Sequence, residues 1–194
     1  MRLAMIGATL NKEIITSKII SRIILVSFFV LSLAFSVHIR IPLPFSPVPI
    51  TLQTLVVFLC AGLLKEKLAT LTTSVYLILG MLGLPVFSLN PCGIFYLFGP
   101  TGGYLLGFVL ASFLVGKLIS LFKERNFLLL FLFMLWGELV ILSCGTFWLK
   151  FVLNLTFKKA FLLGAIPFLP FDLLKILIAV KIFLKLEPRI TKII

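Results

Sequence analysis

The chain has 194 residues, of which 61% are hydrophobic and 12% charged, with a mean hydropathy of +1.26. Soluble domains are about 45–50% apolar and about 25% charged, so this composition excludes an ordinary water-soluble fold and fits one bundle of about five or six membrane helices. A net charge of +12 would point to nucleic acid in a soluble protein; here the basic residues lie mainly between apolar runs, where they orient the chain in a lipid bilayer, and no nucleic-acid partner is expected.

The expected architecture is all-α: a six-transmembrane-helix bundle with long non-helical outer loops, forming a single domain over residues 1–194. Met1 to Leu10 lacks the ordered basic, apolar and cleavage-site regions of a signal peptide, so none is expected. Residues 1–18 then form a cytoplasmic lead into a first span at about 19–38. On that span Ser32 and Ser36 flank Ala34, a small-xxx-small pattern that suits close contact either with a partner helix or inside the bundle. His38 is the only histidine and has no acidic or cysteine cluster beside it, so no metal site is expected.

Ile41 to Ile50 reads IPLPFSPVPI. Its four prolines forbid a helix and predict an extended run, with Phe45 among them as a candidate substrate contact. Short apolar stretches at 50–64 and 67–82 follow, with Lys65 and Lys67 at the turn between them, and predict a hairpin of two short helices that is either fully spanning or partly re-entrant. Gly83 to Gly103 is again rich in Gly, Pro and aromatic residues and carries no charge. Non-helical backbone at membrane depth is tolerated where protein buries it or where it lines a cavity, so the two loops predict an outer cap over a small-molecule pocket.

Spans at 102–122 and 127–149 come next. GPTGG, Gly99 to Gly103, opens the first of them. Thr101, Gly102 and Gly103 either present backbone N–H groups to an anion at a helix N-terminus or form a tight turn. Gln53, Asn90, Thr101 and Tyr104 are the polar groups flanking the loops, as pocket contacts or as helix caps. Glu138, midway along the fifth span, is either a proton or cation site or a carboxyl hydrogen-bonded to another helix. Lys158 to Ile166 reads as a short amphipathic segment on the outer side.

The last span, 170–186, holds the sharpest signal. Pro170 suits the first helical position, which puts Asp172 in the first turn and Lys175 one turn on, on the same face. Ionisable groups within the membrane are costly, so they usually pair and serve a site; the alternative is a purely structural ion pair. Cys60, Cys92 and Cys144 are odd in number and lack C-x-x-C spacing, so neither a disulfide framework nor a zinc site is indicated.

Six crossings leave both termini on one face. Arg2, Lys12, Lys18, Arg22, Lys65, Lys67, Lys117, Lys123, Arg125, Lys181, Lys185, Arg189 and Lys192 share it, against Arg40, Lys150, Lys158 and Lys159 on the other. The excess of positive charge marks the first face as cytoplasmic, with residues 187–194 as a cytoplasmic tail.

Four segments, in order, resemble the BioY family: IPLPFSPVPITLQTL (41–55), GLPVF (83–87), LFGPTGGYLLGF (97–108) and PFLPFDLLK (167–175). Members are biotin-binding S components of energy-coupling-factor (ECF) transporters, and the resemblance covers roughly residues 20–186. It implies a multi-pass protein of the bacterial plasma membrane that captures biotin as its transported substrate, with no cofactor. The implied site lies between the two outer loops and the start of the last helix, with Asp172 and Lys175 in it. The carboxylate accepts from ureido N–H groups, while the ammonium donates either to the ureido oxygen or to the valerate. Implied partners are a transmembrane coupling subunit and ATPase subunits, since this chain has no P-loop of its own. Family members usually meet the coupling subunit through small residues on helix 1, a pattern that Ser32, Ala34 and Ser36 approximate. Phe171 departs from the family, where Gly often precedes the Asp; it either narrows the pocket or faces lipid. Competing readings are an S component for another small vitamin, a polytopic membrane enzyme, for which no nucleophile, base and metal cluster is apparent, and a helix bundle without a ligand.

Overall fold

The computed structural model describes residues 2–87, 93–122 and 124–190, with side chains from residue 16 onward. The described residues form six α-helices. The first, α1 (Arg2–Ser36), begins at Arg2 rather than near Ile19, because no proline interrupts residues 2–18 and Leu, Ala, Met, Lys and Glu among them are good helix formers. Its membrane-suited part is apolar on two faces. Ile20, Ile24, Phe28, Leu31 and Phe35 are exposed at helical spacing, while Phe29, Val30 and Leu33 are buried against the bundle. Such a helix has lipid on one side and protein on the other.

The proline-rich segment is extended, as its composition requires. It closes through a short antiparallel ladder between β1 (Arg40–Ile41) and β2 (Ile50–Thr51), with Arg40 opposite Thr51. The prolines lie outside this ladder, where they forfeit no sheet hydrogen bond.

Helix α2 (Gln53–Met81) is two helices in one run, broken at Lys65, whose φ of 60° and ψ of −176° are not helical. Gln53 Nε2 donates to Tyr76 Oη at 2.7 Å, whereas residues that far apart in a straight helix would be separated by about 35 Å. The run therefore folds back at Lys65, and the two short helices read from the sequence form a hairpin. A positive φ is uncommon at a lysine. The turn is held from outside: a Cβ on Gly116 would lie 2.6 Å from Glu66 N and 2.7 Å from Lys65 C, so the absent side chain lets the neighbouring helix press directly on the turn backbone.

The Gly83–Gly103 segment, expected to be non-helical, contains a 3-10 helix (Ile94–Phe98), which leads to α3 (Gly102–Leu121) and α4 (Phe127–Val152). Asn126 caps α4 by accepting from Leu128 N, and Thr156 caps α5 (Phe157–Gly164) by accepting from Lys159 N. These are the side chains preferred at N-caps, since each satisfies an orphan N–H. After α5 the chain bends by 46° into α6 (Leu169–Ile190). The core lies where α2, α3, α4 and α6 meet, around the fully buried Phe58, Ile119, Met134 and Phe183.

Among the described residues three helical stretches are long and apolar enough to cross a membrane: Thr16–Ser36, Gly102–Leu121 and Phe127–Val152; α5 with α6 makes a fourth if the bent pair is one span. The halves of α2 are shorter than such a span, in keeping with the hairpin. The bundle thus has two distinct ends. One carries the Lys65 turn, the end of α3 and the Arg125–Glu187 ion pair that joins the α3–α4 connection to α6. The other gathers the proline-rich segment, the 3-10 helix and α5, joined by Ser46 Oγ donating to Leu163 O at 2.8 Å.

Candidate functional site

A cavity with about 520 Å³ of empty space opens at the loop end, walled by α2, α3, α4, α6 and the proline-rich segment. Rings of Tyr96, Tyr104, Phe108 and Phe168 line it, together with Thr54, Glu138, Asp172 and Lys175.

Local sequence explains how α6 supplies its pair. Asp172 N bonds Phe168 O at 2.9 Å in the first turn, where an anion is favoured by the helix dipole. Lys175, three residues on, brings Nζ to 2.6 Å from Asp172 Oδ1. Thr54, in the first turn of α2, completes the cluster: its hydroxyl donates to Asp172 Oδ1 and accepts from Lys175 Nζ, both at 3.1 Å. All three side chains are buried. An ammonium has three N–H donors, and two are engaged here, leaving one for a ligand.

The remaining expected residues separate into wall and scaffold. Gln53, Thr101 and Tyr104 line the cavity, but two of them spend polar atoms on the protein. Tyr104 Oη donates to Gly164 O at 2.6 Å, fixing the α5–α6 connection and presenting its ring to the cavity. Gln53 accepts from Thr51 and donates to Tyr76, which in turn donates to Val86 O at 2.9 Å. That chain pins residues 83–87 to α2, and the stack of Phe87 on Tyr96, 4.8 Å between centroids, continues it to the cavity wall. Thr101 lines the cavity and makes no side-chain capping bond.

Gly102 and Gly103 are not among the lining residues. A Cβ on Gly103 would lie 2.2 Å from Trp148 Cβ and 2.5 Å from Cys144 O. These glycines allow α3 to start against α4, and Trp148 Nε1 donates to Gly99 O at 2.9 Å to hold the turn. Of the two readings of GPTGG, the turn is the one the packing explains. Phe45 is 57% exposed and also lies off the cavity wall, while Asn90 lies outside the described residues. Phe171 is exposed and does not narrow the cavity. Ser32 and Ser36 line a separate apolar groove with Phe28, Phe35, Leu55 and Val56; Ala34 packs on the core instead. Among the described residues no three His, Cys, Asp or Glu side chains converge on a metal position.

The model of the BioY family matches residues 8–192. The chain belongs to the BioY family. It is 41% identical to the biotin transporter BioY of Thermotoga maritima over 147 residues, 76% of this chain and 85% of that one. To the probable biotin transporter BioY of Pyrococcus horikoshii it is 41% identical over 153 residues, 78% and 88% of the two chains. It is also similar to a crystal structure of the S-component for biotin from an ECF-type ABC transporter, with a TM-score of 0.81 and 26% identity over 87% of this chain and 92% of that chain. The relatives are transporters, and this member of the BioY family is a membrane protein of helical fold. Thr54 is the member of the polar cluster that sequence reasoning missed, although it stands beside Gln53 in the ITLQTL run. A helical-face argument placing residue 54 inward was the available signal.

Proposed function

We propose that this chain captures biotin at the outer face of the bacterial plasma membrane and serves its uptake as the S component of an ECF transporter. The observation that carries the reading is the buried Asp172–Lys175–Thr54 cluster in a cavity walled by aromatic rings, within a chain of the BioY family. Biotin joins a polar ureido ring to an apolar thioether ring and a valerate tail. The Asp172 carboxylate accepts a ureido N–H, the free Lys175 N–H reaches the ureido oxygen, and the aromatic walls hold the apolar ring. The valerate then lies toward the Thr101 side and the cavity mouth, where solvent replaces the cation the loops lack. Gln53 and Tyr104 shape the site by holding its walls.

In this reading residues 1–194 are one transmembrane domain that crosses the membrane six times, through α1, the two halves of α2, α3, α4 and α6. The hairpin halves are about 18 and 24 Å long at 1.5 Å per residue, so the bilayer thins around them. Both termini are cytoplasmic, following the excess of Lys and Arg at the Lys65 and Arg125 end. A transmembrane coupling subunit and ATPase subunits supply the energy for release inward, and the groove lined by Ser32 and Ser36 meets the coupling subunit. A transporter of this kind needs no cofactor.

The test is accumulation of tritiated biotin in cells lacking other uptake routes, with unlabelled riboflavin and thiamine as competitors. Uptake by the parent chain is expected, competed by biotin alone, and Asp172→Asn and Lys175→Ala are expected to reduce it at matched expression. No uptake by the parent sinks the function, and undiminished uptake in both variants sinks the site.

A further inference from the structure

Glu138 on α4 is 1% exposed, and both its carboxyl oxygens are buried without a hydrogen-bond partner. Asp172 and Lys175, the other buried charged side chains among the described residues, satisfy each other. An acidic group left unpartnered inside a membrane bundle is costly and marks a site that something else completes. Glu138 lines the same cavity as Asp172 and Lys175.

A cation fits poorly as the missing partner. Asp172 is already neutralised by Lys175 at 2.6 Å, and among the described residues no third metal-ligating side chain joins the two carboxyls. A hydrogen-bond donor from the substrate fits well. A cyclic urea offers two N–H donors and one oxygen acceptor, and the cavity offers two carboxyl groups and one ammonium with a single unspent N–H.

We infer that Glu138 is a substrate contact that accepts the second ureido N–H, with Asp172 accepting the first and Lys175 donating to the ureido oxygen. The inference rests on the proposed biotin site and adds to it a residue from α4, so that bound substrate ties α4 to α6. An acceptor at this position also selects for ligands with two N–H groups on adjacent edges, and against ring analogues alkylated at the nitrogen that Glu138 faces.

The experiment measures equilibrium binding to the purified full chain of biotin and of two analogues, each methylated on one ureido nitrogen, for the parent and for Glu138→Leu. Glu138→Leu is expected to weaken biotin about tenfold, as for the loss of one buried hydrogen bond. It is expected to weaken one of the two analogues by less than about threefold, because that analogue already lacks the donor. Equal weakening of biotin and both analogues, or biotin affinity unchanged, overturns the inference. Infrared difference spectra of the parent and Glu138→Gln keep the test decisive where the Leu variant does not fold. A carboxyl band that moves on biotin addition and vanishes in Glu138→Gln supports the contact, and no such band overturns it. Absence of biotin binding by the parent overturns the proposed function itself, which separates the two failures.

Discussion

Helix α6 carries an ion pair near each end, and the two are built from similar groups in different surroundings. At the loop end Lys175 and Asp172 meet at 2.6 Å with 8% and 3% of their side chains exposed, and Thr54 bonds both; at the basic end Arg125 and Glu187 meet at 3.4 Å with 27% and 26% exposed. The Arg125 guanidinium also donates to the carbonyls of Ile119 and Phe122, so it caps α3 whether or not Glu187 is present. A desolvated pair is costly to form and ruinous to break, while a half-exposed pair is screened by water and salt. The first pair therefore depends on both partners staying in place, whereas the basic end also has backbone packing around Gly116 to hold it.

The largest effect expected from this contrast is that of Lys175→Ala. It strands the Asp172 carboxylate in the core and is expected to cost about 3–5 kcal/mol of stability, read as a lowered melting temperature in detergent, together with loss of biotin binding. An unchanged melting temperature would show that the pair is solvated and that the contrast between the two ends is wrong. Gly116→Val probes how the basic end is held. A side chain there must displace the turn backbone at Lys65 and Glu66, and about 1–3 kcal/mol of destabilisation is expected from overpacking, measured by the same thermal scan.

Thr54→Val keeps the shape and removes the hydroxyl that bridges the buried pair. Stability is expected to fall by about 1 kcal/mol, with biotin affinity weakened several-fold in equilibrium binding. Affinity equal to the parent's would mean that the pair holds its geometry without Thr54. The smallest effect is expected of Glu187→Gln, at most about 0.5 kcal/mol and vanishing at high salt. A drop comparable to that of Lys175→Ala would erase the distinction between the two pairs.

Much of the fold was legible because bilayer physics leaves strong marks on composition. The apolar stretches at 102–122 and 127–149 became α3 and α4 with shifts of a few residues at most, since unsatisfied backbone is prohibitive in hydrocarbon and a long apolar run must be helical. The break at Lys65 was visible as a basic gap between two short runs, but its positive φ was not. That conformation depends on Gly116, a residue distant in sequence, whose missing Cβ has no local signature. Asp172 and Lys175 were legible because charges in an apolar helix stand out and their spacing puts them on one face. Thr54 was not, because a threonine in a helix start is ordinary and becomes a bridging group only once α2 packs on α6.

GPTGG shows the same division. Sequence alone allowed an anion nest or a turn, and it gave no sign that Trp148 and Cys144 on another helix leave no room for a side chain at Gly103. Phe45 looked like a pocket residue by its place in an apolar loop, yet the loop turns it outward while Ser46 anchors to Leu163.

By itself, then, the sequence determined the solvent, the helical class, the extended proline-rich segment and the charged pair on α6, because each follows from transfer free energies and local geometry acting on neighbouring residues. Only the tertiary structure decided which polar groups share a cavity. Thr54, Glu138 and Asp172 come from three helices, and whether a buried group has a partner depends on the packing of all of them.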